Sequence, residues 1–153
     1  MMDSKHIDSY IEVLESELLL ATGCTEPIAL AYAAASLRKT MGLLPERVVI
    51  EVSGNIIKNV KSVIVPNTGK QKGIRAAVAA GLVAGDPDAK LQVISSVPAS
   101  AHADIAAYAK NTPLEIVCMD TPFQLDMRLT GYAVICVIGI RGLWLTESKV
   151  RKK

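Results

Sequence analysis

The sequence predicts an α+β fold in which Ala-rich helices pack on a small mixed or antiparallel sheet. Two segments rich in small and aliphatic residues, 27–41 with no breaker until Gly42 and 74–83, read as helices. Short β-branched runs, Arg47 to Ser53 and Leu114 to Met119, read as strands. Helices and strands are mixed without the regular rhythm of βαβ units, which argues against a doubly wound sheet.

The elements follow in order. Ile7, Tyr10, Ile11, Leu14 and Leu18 recur at three- and four-residue steps, so a first amphipathic helix is expected from Asp3 or Ser4 to about Leu20. The turn Gly23–Pro27 separates it from a second helix that ends at Met41, before Gly42 and Pro45. After the strand 47–53, Gly54-Asn55 signals a turn. Ile56-Ile57 and Ser62 to Val65 are then expected to form short strands of a hairpin or meander. The loop Pro66–Gly73 leads into the helix 74–83, which Gly85-Asp86-Pro87-Asp88 ends. Leu91 to Val97 fits a strand or a helix equally. Pro98 to Lys110 reads as a helix with Ala101, Ile105 and Ala109 as its apolar stripe, and 129–140 contains a further strand after 114–119.

The 153 residues suffice for one domain with a sizeable core. Half of them are hydrophobic but only 4% are aromatic, so the core is built from Ala, Val, Ile and Leu. Such a core leaves little room for a large aromatic-lined pocket and suits a small polar ligand. A net charge of +2, with no basic patch interleaved with aromatics, speaks against nucleic acid. The cluster Lys149-Val150-Arg151-Lys152-Lys153 reads as a solvated end. No apolar run is long enough to span a bilayer and no signal-peptide core is present, so the expectation is a cytoplasmic protein with no membrane partner. Three cysteines, an odd number without a CxxC pair, argue against a disulfide framework and against a self-contained structural zinc site.

The chain is organised around Ala21-Thr22-Gly23-Cys24-Thr25-Glu26-Pro27. Gly23 permits a sharp reversal through positive φ, Thr25 can N-cap the following helix, and Pro27 fits its first turn. Cys24 then stands at, or one residue outside, a helix N-terminus, where unpaired N–H groups and the macrodipole favour thiolate over thiol. Such a cysteine can be a base, a nucleophile or a metal ligand; the alternative is a small buried hydrophobe. Glu26 reads as a helix-start charge rather than a general acid. Cys118 and Cys136 lie in apolar strand contexts and read as core. His102, beside Asp104, reads as a helix-surface histidine, and His6 stands apart from any metal-ligand spacing.

The loop Pro66-Asn67-Thr68-Gly69-Lys70-Gln71-Lys72-Gly73 combines a helix start with two lysines, which suits a carboxylate or phosphate as well as it suits an ordinary solvated loop. It is not a Walker A loop, because Gln71 follows Lys70 where Ser or Thr is required, and no GxGxxG occurs anywhere.

Gly-Cys-Thr-Glu-Pro before an Ala-rich helix, followed by Val-Pro-Asn-Thr-Gly before a Gly-started Ala-rich helix, resembles the L-cysteine desulfidase family, relatives of the iron–sulfur L-serine dehydratase alpha chains. The resemblance covers about residues 8 to 120. It implies a PLP-independent lyase that uses a [4Fe-4S] cluster to remove the α-proton and eliminate sulfide from L-cysteine, leaving pyruvate and ammonia. It implies Cys24 as the proton-abstracting base and Thr25, Glu26, Asn67, Thr68, Gly69 and Lys70 as the substrate-binding set. The family's cluster ligands are cysteines of a C-terminal half, and neither Cys118 nor Cys136 matches them, so no metal ligand is expected in this chain.

Residues 1–130 are accordingly expected to be the desulfidase-like N-terminal domain and 131–153 an atypical tail, truncated or frameshifted, with Trp144 alone among polar neighbours. Two expectations follow. The chain is the N-terminal portion of an iron–sulfur amino-acid lyase, completed by a C-terminal half that supplies the metal. Alternatively, it is a stand-alone, non-catalytic domain that binds a small amino acid or forms a homo-oligomer.

Overall fold

A computed structural model describes residues 4–18, 21–133 and 136–141, with the side chains of 4–6, 17 and 136–141 excepted. The expected extension of the first helix to Leu20, Trp144, the basic tail, and the side chains of His6 and Cys136 lie outside the described residues. The elements are helix α1 (Ser4–Glu17), α2 (Thr25–Met41), strand β1 (Arg47–Ser53), α3 (Gly54–Val60), α4 (Gly73–Ala84), two 3₁₀ segments (Pro87–Gln92 and Ala99–Ala101), α5 (His102–Asn111), β2 (Leu114–Met119), β3 (Met127–Ala133) and β4 (Cys136–Arg141).

The fold is α+β, and the sheet is mixed. Its order is β2-β1-β3-β4: β1 runs parallel to β2 and antiparallel to β3, and β3 pairs antiparallel with β4. β3 continues through residue 130, so the sheet extends across that position. Alternation along β1 buries Val48, Ile50 and Val52 completely on the helical face. The other face carries Glu51, paired with Arg128 at 3.3 Å, and Arg47, paired with Glu115 at 2.8 Å.

Helices α2 and α4 form the layer over the sheet. Their small residues let the backbones approach closely: a Cβ placed on Gly81 would collide with the Ala31 carbonyl oxygen. Two arginines tie the layer together. Arg38 of α2 donates to the carbonyls of Leu82, Val83 and Gly85, satisfying the C-terminal end of α4. Arg75 of α4 donates to those of Ala109, Thr112 and Leu114, fixing the end of α5 against the start of β2. Tyr108 adds a hydrogen bond to the Pro45 carbonyl at 2.6 Å, and burial pushes its phenol up to about 12.

Three expectations are corrected. Residues 54–60 are helix α3 rather than strand: Ile56 and Val60, four apart, are both fully buried, as on one face of a helix. Of the expected hairpin only an isolated antiparallel bridge, Ile64 to Lys72, is present. Leu91–Val97 is neither strand nor helix throughout; it comprises the end of a 3₁₀ segment and turns that bury Val93 and Ile94. The apolar stripe of α1 does not enter the core: Ile7, Tyr10, Ile11, Leu14 and Leu18 are all exposed, Leu18 by 70%.

Candidate functional site

Cys24 is the N-cap residue of α2, with φ −59° and ψ 133°, and its carbonyl accepts the Ile28 N–H at 3.3 Å. Thr25 is therefore the first helical residue rather than the cap, and Pro27 sits in the first turn. Gly23 does not adopt positive φ; among the glycines that conformation belongs to Gly42, Gly69 and Gly73. Gly23 is required instead for close approach, since a Cβ there would stand 2.9 Å from Cγ of Pro66. The preceding Thr22 is pinned through its N–H to the Leu91 carbonyl.

The Cys24 thiol is exposed and donates to Oε2 of Glu26 at 3.1 Å. Oε1 of the same carboxylate accepts the Asn59 amide of α3 at 3.0 Å. This bond pattern reverses the expected electrostatics. The Glu26 carboxylate raises the Cys24 thiol above its ordinary value, because ionising the sulfur would break the hydrogen bond and set two negative charges side by side; partial burial adds to this. The backbone N–H groups of Glu26 and Thr25 act the other way, as a helix start does, and are outweighed. Glu26 is correspondingly held below the usual carboxylate range, first by the thiol, then by its own N–H and the Asn59 amide. At rest the pair is thiol and carboxylate.

The second motif lies directly beside the first through Pro66. Val65 N–H to the Gln71 carbonyl and Gly73 N–H to the Val63 carbonyl close residues 66–70 into a tight turn. Asn67, Gly69 and Lys70 all take positive φ there, at 53°, 67° and 68°. The Asn67 amide is spent on the carbonyls of Ile94 and Ser95, and the buried Thr68 hydroxyl on that of Val65. These two side chains hold the turn, and Lys70 points no such bond inward; it is exposed. Gly69 packs against His102 at the start of α5, where an added Cβ would lie 3.3 Å from Nδ1. His102 is half-buried against this turn rather than a free surface histidine.

The structure thus gathers Cys24, Glu26 and Asn59 at one end of the Pro66–Lys70 turn and His102 at its other side. Asn59 and the His102 contact were not legible in the sequence: a hairpin expectation for 54–65 placed Asn59 in a turn, and only helix α3 brings it to Glu26. Cys118 is corrected as well. It is exposed on β2 rather than core.

The chain is similar to proteins named UPF0597. The protein of Treponema denticola is 50% identical over 129 residues, covering 84% of this chain and 30% of the relative. That of Desulfitobacterium hafniense is 47% identical over 128 residues, with the same shares. That of Fusobacterium nucleatum is 52% identical over 94 residues, 61% of this chain and 22% of the relative. The chain therefore spans about a third or less of the length of these relatives, whose name states no activity. No family model and no solved structure matches the chain. No described helix is long and apolar enough to cross a membrane.

Proposed function

We propose that this chain is the N-terminal part of a PLP-independent iron–sulfur lyase that carries out α,β-elimination on L-cysteine or L-serine, with Cys24 as the base at Cα. What supports the reading most is the placement of Cys24: exposed at a helix N-cap, bonded to an ionised carboxylate 3.1 Å away, on a turn packed against Pro66. The sulfur takes the Cα proton, the C–H pair becomes the Cα–Cβ double bond, and the β-substituent leaves with its own pair. The aminoacrylate then gives pyruvate and ammonia with water.

Sulfur can accept that proton only as thiolate, whereas at rest it holds its own. In this reading the α-ammonium of the substrate binds the Glu26 carboxylate, cancels its charge and displaces the thiol hydrogen bond. Cys24 then releases its proton to water and is poised as the base. The substrate carboxylate meets Lys70 and backbone N–H groups of the turn at Thr68 and Gly69, since the Asn67 and Thr68 side chains are engaged, while Thr25 lines the helix start.

Among the described residues no three His, Cys, Asp or Glu side chains come together as a metal site, so they do not fit a [4Fe-4S] cluster. The reading assigns its ligands to the portion of the longer relatives that this chain does not span. A second reading, a non-catalytic domain that binds a small amino acid or self-associates, is favoured by the exposed apolar stripe of α1.

The test replaces the matched 129 residues of the Treponema denticola relative with this chain and reconstitutes the chimera anaerobically with iron and sulfide. Pyruvate from L-cysteine or L-serine is expected, with sulfide released only from cysteine. A folded, cluster-bearing chimera that forms pyruvate from neither overturns the proposal.

A further inference from the structure

The helical layer stops short of β2. Ile116 is the register partner of Ile50 and so faces the same side of the sheet, yet Ile50 is fully buried and Ile116 is 40% exposed. Beside it opens a cavity of about 370 Å³ between α3, the start of α4 and β2. Its walls are Ile57, Ile74 and Ile116; its charges are Lys61, Lys72 and Arg75. Arg75 is committed to three carbonyls. Among the described residues neither Lys61 nor Lys72 has an ion-pair partner. The cavity is therefore apolar inside and cationic at its rim, with no carboxylate in its lining.

Among the described strands β2 is also an edge of the sheet, and its residues Glu115 to Cys118 are all exposed. An edge strand presents a row of backbone N–H and C=O groups to any extended chain that reaches it. The relatives contain much more chain than is matched here: 129 residues account for 30% of the Treponema denticola protein.

We propose that the β2 edge and the adjoining cavity seat an extended segment from the region of the UPF0597 proteins that this chain does not span. The segment adds a strand beside β2, places an aliphatic side chain in the cavity against Ile116, and meets Lys61 and Lys72 with a carboxylate. This inference goes beyond the lyase chemistry and rests only on the premise of that reading that this chain is one portion of a longer protein, because it concerns how the two portions are joined.

The test is binding, with no catalytic readout. Overlapping labelled peptides that tile the unmatched region of the Treponema denticola protein are titrated against the full chain. At least one peptide, with an acidic residue flanked by aliphatic ones, is expected to bind. Ile116→Lys, and separately the double variant Lys61→Glu/Lys72→Glu, should each weaken it at least tenfold while circular dichroism shows the fold retained. The surface double variant keeps the test valid if Ile116→Lys fails to fold. The proposal is overturned if no peptide binds, if binding is unchanged in the folded variants, or if the same variants instead abolish self-association of the chain.

Discussion

Gly23 lies against Pro66 with no room for a side chain between them: a Cβ on Gly23 would stand 2.9 Å from Cγ of the proline ring. This contact joins two turns that are more than forty positions apart in sequence and sets Cys24 beside the Pro66–Lys70 turn. Gly23→Ala must therefore move the proline or the start of α2. The expected cost is that of overpacking, about 1–3 kcal/mol, read as a lowered midpoint in urea.

Glu26→Gln removes the charge that keeps the Cys24 thiol protonated. The hydrogen bond to the carboxylate raises the thiol above its ordinary value, so neutralising the acceptor lowers it and shifts the alkylation profile to lower pH. Iodoacetamide labelling followed peptide by peptide in a mass spectrometer separates Cys24 from the exposed Cys118. An unmoved Cys24 profile would contradict the pairing.

Asn59→Ala should act through Glu26 alone. Losing the amide at Oε1 leaves the carboxylate less well fixed. Its pKa should rise towards the ordinary range, since the Asn59 hydrogen bond is one of the causes holding it down. Carboxylate titration by NMR reads this directly.

Gly81→Ala tests the packing of α2 on α4. A methyl group there collides with the Ala31 backbone, which cannot rotate away as a side chain could, so the helices must separate. The cost is expected at the upper end of overpacking, about 3 kcal/mol. Arg38→Ala is expected to lose about 2–4 kcal/mol, since three carbonyls near the α4 terminus lose one shared charged donor. Arg38→Lys should recover part of it, because an ammonium lacks the planar fork that reaches three acceptors.

Strands β1 and β2 have the boundaries expected from their β-branched runs, and α2 ends at Met41 as expected but begins at Thr25, two residues before Pro27. Helix α3 was hidden by its composition. Gly54-Asn55 resembles a hairpin turn and Ile56-Ile57 a strand, whereas the i, i+4 pair Ile56 and Val60 decides for a helix once β1 and α2 are there to bury it. Cys118 looked like core because its strand is apolar; only the sheet order reveals an edge. The position of Cys24 at a helix start was legible from its neighbours. The sign of its electrostatics was not, because it turns on the rotamers of Glu26 and on Asn59 across the fold.

The central claim is that Cys24 removes a proton from Cα. The most direct measurement is solvent-deuterium exchange at Cα of L-alanine, which has no leaving group, catalysed by the chimera in D₂O and followed by proton NMR. The account predicts exchange with Cys24 present and its loss in Cys24→Ala, with the fold unchanged by circular dichroism. Exchange at an undiminished rate in the Cys24→Ala chimera would contradict it.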